Sequence, residues 1–404
     1  MLNLKYAIIG LLLASNTTAF YTYNNSTKMQ SKVTTEPVNF SESAEKIKKT
    51  SDNSLVYEYN KDINYSMYTN RMIDTCLIAG ALYQDFKSNT IMPNTDKYDL
   101  YIKAKQHFLP YRDHEFIKQF GKYIDGDDVR GDVIGILLSC SNSPELKPIY
   151  KFQETYMNDI FTSQKDIDEF LNGLRKFYTD TKAEEFFNEN SEAYTHMGKY
   201  IQDNIKNTNI VDLIKNSEKY VGNKNKYYPN VNIGYQTIMT LFRPFMASFF
   251  SIKSDDSIIF ITFQSPNDYS RDPEKFDIRQ TVSTSIHEIL HNFINAPVAN
   301  NNTLIMKLAS SKDKNDYASK MYQDMPWNRI VDENFVRAVQ GRIYKNRFGE
   351  ERAMGEVMTK EIKFGGFKHL KPVYNKLEEY ENKRDKYPTM DDFTPELIKE
   401  LLKY

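Results

Sequence analysis

Helical periodicity dominates the pattern of apolar and polar positions along the chain. Between residues 163 and 207, apolar side chains recur every three or four positions, as on the buried face of an amphipathic helix. The members of this stripe are Ile167, Phe170, Leu171, Leu174 and Phe177. The same spacing occurs at 67–83 and 129–138 and returns from Asp277 to the C-terminus. The pattern therefore predicts a mostly helical protein.

A second pattern, rich in β-branched and aromatic residues, separates the helical regions. Three such runs lie at 227–235, 238–252 and 257–263, and Asn, Pro, Asp or Ser bounds them. The last run is apolar on both faces, which is typical of an inner or well-covered strand. Together with the flanking helices, these strands predict an α+β fold with a small sheet.

The N-terminus has the composition of an export signal. Lys5 precedes an apolar run, and a short polar stretch then ends at Ala19, so residues 1–19 are predicted to be a signal peptide. The apolar run is shorter than the roughly 20 residues that span a bilayer. We therefore expect a periplasmic or extracellular protein without a stable membrane span, tethered only if the signal stays uncleaved.

The rest of the chain is predicted to form three segments. Residues 20–55 are rich in Ser, Thr, Asn and Lys and should form a flexible linker, because they offer little apolar surface to bury. Residues 56–160 are expected to form a helical N-terminal lobe. Residues 161–404 contain the predicted sheet and the later helices, and should form the domain that carries the chemistry.

Charge and cysteine content narrow the classes of partner and site. Lys plus Arg number 53 and Asp plus Glu number 54, so no net positive field favours binding to nucleic acid. The two cysteines, Cys76 and Cys140, exclude a disulfide-dense scaffold and a multi-cysteine zinc site. They can form one bridge or remain two buried thiols. The sequence leaves the oligomeric state open.

The strongest chemical signal is the sequence HEILH, from His287 to His291. Residues four apart lie on one face of a helix, so these two histidines can direct their imidazoles at a single cation. Glu288 lies further round the helix, where it can serve as the general base beside a metal site. Pro297 is expected to end the helix. An apolar arc beside the histidines should anchor the helix, and its members are Val282, Ile286, Ile289, Leu290 and Phe293.

A catalytic zinc needs a third protein ligand and an open position. The metzincin extension, a third His three residues after a Gly, is absent from residues 292–297, which excludes that class. The best candidate is Glu333, on a helix predicted to begin near Asp324 and Pro326. At helical spacing this residue belongs to a polar stripe of Glu333, Arg337, Gln340 and Tyr344.

The residues alone leave two alternatives for the third ligand. Glu333 precedes Arg337 by four positions, so the two can equally be an exposed helix pair. Asp332 is the rival ligand, because it lies one residue away. Arg337 can hold Glu333 in place beside a metal, or simply solvate it.

Two segments resemble zinc metallopeptidases of the gluzincin type. The similar features are HEILHNFINAPV, within Thr281 to Ala299, and ENFVRAVQGR, from Glu333 to Arg342. More closely, they resemble an uncharacterised family of exported, largely bacterial zincin-like proteins. The resemblance extends over about Asp255 to Phe348. Two features depart from the family's pattern. The Pro that is expected directly after an Asn follows Ala296 instead, as Pro297, and the spacer from His291 to Glu333 is much longer than in thermolysin-like enzymes.

The resemblance implies a zincin-like fold, in which a small sheet precedes the HExxH helix. It also implies that His287, His291 and Glu333 bind one Zn²⁺ per chain and that Glu288 acts as the base. The expected function is therefore a secreted zinc-dependent peptidase, whose partner is a peptide or protein substrate. One alternative is a catalytically inactive zincin-like binding protein. Another is a zinc amide hydrolase that acts on cell-wall or small-molecule amides.

Further groups are candidates for secondary roles in such a reaction. A donor to the developing oxyanion is expected, and Tyr344, His369 and Tyr374 are candidates that can equally be packing or surface residues. The strand at 257–263 can pair with an extended substrate if it lies at an edge, whereas its two apolar faces fit a covered position.

Overall fold

The computed structural model describes residues 55–87, 99–126, 128–141, 145–150, 152, 160–243, 247–254, 256–265, 277–318, 322, 324–363 and 365–404. Most of the described residues are helical, and a small mixed sheet contains most of the strand residues. The predicted α+β class is therefore confirmed. Its zincin-like character stays a prediction. The chain forms two compact units, which are described in turn.

The first unit combines the described part of Ser15–Lys206 with that of Asn232–Thr281 and contains the sheet. Its strands are β1 (Leu55–Asn60), β2 (Asn64–Thr69), β3 (Ile124–Asp125), β4 (Asp128–Val129), β5 (Asn232–Met239), β6 (Ala247–Lys253) and β7 (Ser257–Gln264). Five of them form one sheet in the order β1-β2-β5-β7-β6. Strands β2, β5 and β7 are parallel, while β1 and β6 run antiparallel to their neighbours.

Strand β7 confirms the prediction of an inner strand. It pairs with β5 on one side and β6 on the other, and every residue from Ser257 to Gln264 is buried. Apolar residues occupy both faces because both faces are covered. The suggestion that β7 pairs with a substrate strand is therefore wrong, since neither of its edges is free. Of the run predicted at 227–235, only residues 232–235 are extended, and Tyr227 belongs to a helix.

Helices pack with this sheet in the first unit. They are α1 (Arg71–Tyr83), α2 (Asp99–Phe108), α3 (Glu115–Lys118), α4 (Gly131–Leu138), α5 (Gln164–Asp180), α6 (Ala183–Glu189) and α7 (Ser191–Asn204). The segment predicted as a helical lobe thus begins with two strands. Strands from both sides of the predicted boundary at residue 160 share one sheet, so the compact units differ from the predicted segments.

Cys76 and Cys140 of the first unit are buried free thiols, so the bridged alternative is not realised. Cys76 lies on α1, within an apolar run that the structure buries completely. Burial raises the pKa of the Cys140 thiol to about 12, because a thiolate is poorly solvated there. Both side chains therefore behave as small apolar core residues.

The second unit combines Asn207–Val231 with the described part of Val282–Tyr404 and is helical. Its helices are α8 (Ile210–Val221), α9 (Lys224–Tyr227), α10 (Ile278–Ala299, from Val282 onward), α11 (Asn302–Ser311), α12 (Trp327–Phe348), α13 (Glu350–Arg352), α14 (Thr359–Lys363), α15 (Leu370–Asn382) and α16 (Met390–Leu401). A π-helical segment, Ala353–Met358, joins α13 to α14. The predicted helical character after Asp277 is confirmed.

Pro297 does not end helix α10, contrary to the prediction. The helix continues to Ala299, with Pro297 inside it. A proline has no N–H for the carbonyl four residues earlier, which is that of Phe293. The buried Asn223 replaces this donor, because its Nδ2 lies 2.8 Å from Phe293 O. A side chain from outside the helix thus allows it to pass through a residue that normally interrupts it.

Gly222 forms the turn that directly precedes Asn223 and its contact with Phe293 O. It ends α8 with φ +69°, a left-handed conformation that glycine adopts readily. A Cβ at this position would lie 2.8 Å from Pro388 O, so the backbone there leaves no room for a side chain. The next residue, Asn223, then reaches Phe293 O.

Two predictions concern the N-terminus. The predicted signal peptide at 1–19 and nearly all of the predicted linker at 20–55 lie outside the described residues. Among the residues that are described, no helix is long and apolar enough to cross a membrane.

Candidate metal centre

Helix α10 places the HExxH residues as their spacing predicts. The side chain of His291 is 2 % exposed, whereas that of His287, one turn earlier, is 15 % exposed. Their Nε2 atoms lie 3.2 Å apart, so both imidazoles point to one place. The apolar arc beside them is buried, as expected, and consists of Val282, Ile286, Ile289, Leu290 and Phe293.

Helix α12 brings Glu333 to the two histidines. Gln340, two turns after Glu333, donates from Nε2 to Ser283 O at 2.7 Å and to Ser283 Oγ at 3.0 Å. Ser283 precedes His287 and His291 on α10, whereas Gln340 follows Glu333 on α12. Because Gln340 meets Ser283 while Glu333 meets the histidines, the two helices run in opposite directions. The same register sets Glu333 opposite His287 and His291. The predicted polar stripe therefore faces α10, and all four of its side chains are buried.

Two imidazole nitrogens and the Glu333 carboxylate converge closely enough to share one cation. Glu333 Oε2 lies 3.4 Å from His287 Nε2, and Glu333 Oε1 lies 3.6 Å from His291 Nε2. Together with the contact between the histidines, these separations suit ligands placed about 2 Å from one ion. His287, His291 and Glu333 thus form a group that could hold a metal ion.

The protonation states of the group favour metal binding. Burial, the largest cause, lowers the pKa of His291 to about 3, so its imidazole is neutral, which is the form that binds metals. Burial would raise the pKa of Glu333, but Arg337 and the two histidines hold it well below its usual range. The carboxylate is therefore ionised in a buried place.

Arg337 is the counter-charge that stabilises this buried carboxylate. Its Nη1 donates to Glu333 Oε2, its Nε donates to Glu361 Oε2 at 2.6 Å, and its Nη2 donates to the hydroxyl of Tyr322 at 3.1 Å. The ring of Phe367 stacks under the guanidinium at 4.2 Å. The exposed-pair alternative for Glu333 and Arg337 is wrong, since both side chains are less than 10 % exposed.

Glu288 lies beside the ligand group with its side chain largely buried. Burial raises the pKa of its carboxyl to about 7, the nearby Glu333 carboxylate adds to the rise, and His287 opposes it. A carboxyl with this pKa can both accept and return a proton near neutral pH, as general acid and base catalysis requires.

Residues 55–400 match a family described as a domain of unknown function, DUF4932. The chain belongs to this family. Comparison with curated proteins and with solved structures finds no match. The description of the DUF4932 family names no activity.

Asp332, the rival ligand, is not part of the group in this DUF4932 protein. Its Oδ2 accepts from Arg329 Nη1 at 3.4 Å, and burial raises its pKa well above the usual value. One residue of helix rotation, about 100°, separates it from Glu333 and turns its carboxyl elsewhere. The structure therefore resolves this alternative in favour of Glu333.

The three candidate oxyanion donors have other contacts. Tyr344 lies with Ser283 and Gln340 between the two site helices. The hydroxyl of Tyr374 donates to Glu350 Oε2 at 3.0 Å. His369 packs its ring against Tyr317 and Tyr404. None of these contacts places the three side chains at the ligand group.

Sequence reasoning missed three residues around the centre. Asn295 Oδ1 lies 3.0 Å from His291 Nδ1, and the spacing of four on one helix could have indicated it. Glu361 and Tyr322 reach Arg337 from other segments. No local signal connects these two residues to the motif, because only the folded chain brings them there.

Proposed function

We propose that this DUF4932 protein is an exported zinc-dependent peptidase, with His287, His291 and Glu333 as metal ligands and Glu288 as the general base. The observation that carries the proposal is the convergence of three ligand atoms next to a buried carboxyl. Each of the four residues has the chemical type that a hydrolytic zinc centre requires.

Both the donor set and its spacing favour zinc. Two imidazoles and one carboxylate, with a fourth position left for water, are the ligands of several catalytic zinc sites. Ligands about 2.1 Å from a tetrahedral ion lie about 3.4 Å apart, while neighbouring ligands of an octahedral ion lie about 3.0 Å apart. The distances from the histidines to Glu333, 3.4 Å to Oε2 and 3.6 Å to Oε1, are closer to the tetrahedral value, and the 3.2 Å between the two imidazole nitrogens lies midway.

Zinc, when bound there, supplies a Lewis acid that acidifies water and polarises the carbonyl of the scissile bond. Glu288 accepts a proton from the attacking water and delivers it to the amine nitrogen as the peptide bond breaks. A nearby cation favours ionised carboxylates, so the pKa of Glu288 should fall below 7 on metal binding and leave it ready as a base. Arg337 keeps Glu333 ionised and oriented.

Glu288 also favours an enzyme over a binding protein. Metal binding does not need this residue, because three other side chains supply the ligands. A buried carboxyl costs stability, so its presence there calls for a role. Proton transfer gives it one.

Metal analysis combined with activity measurements tests the proposal. Purified protein should contain one zinc per chain and cleave an unstructured protein substrate. Glu288→Gln should keep the zinc and lose the cleavage by at least about a hundredfold, which is the usual scale of general acid and base catalysis. Glu351→Gln, an exposed glutamate of the same unit, is the matched control and should leave both unchanged.

Two outcomes would contradict the proposal. Stoichiometric zinc with no cleavage of a broad panel of proteins and peptides by the wild type would favour a binding protein. Cleavage of cell-wall or small-molecule amides alone, identified by the masses of the products, would favour an amide hydrolase.

A further inference from the structure

Asn295 makes a contact with a metal-ligand candidate that the HExxH motif does not contain. It lies one helical turn after His291, and its Oδ1 lies 3.0 Å from His291 Nδ1. The opposite ring nitrogen, Nε2, faces Glu333 Oε1 at 3.6 Å. The imidazole thus has one nitrogen against an amide and the other against the ligand group.

The chemistry of the amide oxygen makes this contact selective. A carbonyl oxygen can only accept a hydrogen bond, so Nδ1 must carry the proton of the neutral ring. Nε2 then carries no proton and presents a lone pair to the ligand group, which is the requirement for a metal ligand. The opposite tautomer would place a proton between Nε2 and the cation, and it would require the Asn295 amide to rotate so that its Nδ2 donates to Nδ1.

Burial makes the contact with Asn295 important for the protonation of the His291 ring. Its side chain is 2 % exposed, so water has little access to replace the amide as a partner of Nδ1. His287 differs, because 15 % of its side chain is exposed and solvent can reach the ring.

We propose that Asn295 is a positioning residue, which fixes His291 as the tautomer protonated on Nδ1 and thereby presents Nε2 to the metal. Its effect on zinc affinity rests on the proposed function, whereas its effect on the tautomer does not. Partners that orient ligating histidines typically contribute about 10-fold to 100-fold in metal affinity. We expect a loss of this size when the amide is removed.

Nitrogen NMR of the metal-free protein tests the tautomer directly. In the wild type, His291 should show a protonated Nδ1 and an unprotonated Nε2. Asn295→Asp keeps an acceptor at the same place and should keep this pattern, whereas Asn295→Ala should allow the other tautomer to appear. A wild-type spectrum with the proton on Nε2 would overturn the proposal without any variant.

Zinc titration of the same proteins tests the consequence. Asn295→Ala should bind zinc about 10-fold to 100-fold more weakly than the wild type, and Asn295→Asp should restore the affinity. The matched control is Asn292→Ala, because Asn292 lies on the same helix and its side-chain amide donates to the carbonyls of Glu288 and Ile289. It should leave the tautomer and the affinity unchanged.

The outcomes for Asn295 and for the proposed function are separable. Equal zinc affinity of the wild type and Asn295→Ala, with an unchanged tautomer, would overturn the positioning role. The expected tautomer and affinity pattern without any peptide cleavage would support the positioning role and refute the peptidase. If Asn295→Ala fails to fold, the wild-type spectrum and the Asn295→Asp affinity still decide.

Discussion

The contact between Asn223 and the carbonyl of Phe293 gives a quantitative prediction about how helix α10 tolerates Pro297. Changing Asn223 to Ala removes the side chain that supplies the donor missing at Pro297. Changing Pro297 to Ala restores a backbone N–H that can bond to the same carbonyl. The two substitutions should therefore be coupled.

The magnitude follows from the burial of the contact. Asn223 is fully buried, so its loss removes a donor from Phe293 O in a place that water does not reach easily. Removing one partner of a buried hydrogen bond costs about 1–3 kcal/mol. Asn223 Nδ2 also lies 3.3 Å from Asp391 Oδ2, and losing this contact adds a smaller cost that does not depend on Pro297. In the Pro297→Ala background, we expect Asn223→Ala to cost about 1 kcal/mol less than in the wild type.

Urea unfolding of the metal-free protein measures the four members of this cycle. The chain has a single tryptophan, Trp327, which lies in the helical unit and packs against Tyr317, so its fluorescence reports on the unit that contains the contact. Asn301→Ala is the control, because Asn301 Nδ2 donates to Pro297 O, a carbonyl that the Pro297→Ala substitution retains.

The coupling decides between two explanations of the helix. If Asn223→Ala costs the same free energy of unfolding in both backgrounds, Asn223 does not compensate for the N–H that Pro297 lacks. If Asn301→Ala shows as much coupling as Asn223→Ala, the effect is a general loosening of the helix end rather than one specific bond.

Three further predictions concern the buried charges and the metal. Arg337→Met leaves Glu333 and Glu361 without their shared counter-charge and should lower the free energy of unfolding by about 3–5 kcal/mol. Arg347→Met removes the more exposed pair with Asp212 and should cost less than about 1 kcal/mol in the same urea titration. Burial raises the pKa of Asp74 to about 7 from 3.8, so its contribution to the free energy of unfolding is complete below pH 3.8 and is lost as the pH rises through 7. Asp74→Asn should therefore remove a pH-dependent decline of order 4 kcal/mol in the free energy of unfolding. Equal pH profiles of the wild type and the variant would refute this prediction. Zinc at a thousandfold excess over its Kd should raise the free energy of unfolding by about 4 kcal/mol, and calorimetry should show no such rise for His291→Ala.

Local spacing alone determined the part of the site that lies on one helix. His287 and His291 share a face of α10 because four residues make about one turn, and this holds independently of the rest of the chain. The same is true of the polar stripe on α12, and the continuous apolar run at 257–263 reflects burial on both faces. Such features repeat with the geometry of their own element, so a single sequence reveals them.

Only the tertiary structure decided which residues meet across elements. Glu333 faces the histidines, and Asp332 does not, because Gln340 bonds to Ser283, a residue 57 positions away. Pro297 lies inside a helix because Asn223, 70 positions from Phe293, supplies a donor. Glu361 and Tyr322 complete the surroundings of Arg337 in the same way. These contacts are made by side chains whose separation in sequence carries no period, so the packing of the helices, rather than any local pattern, determines them.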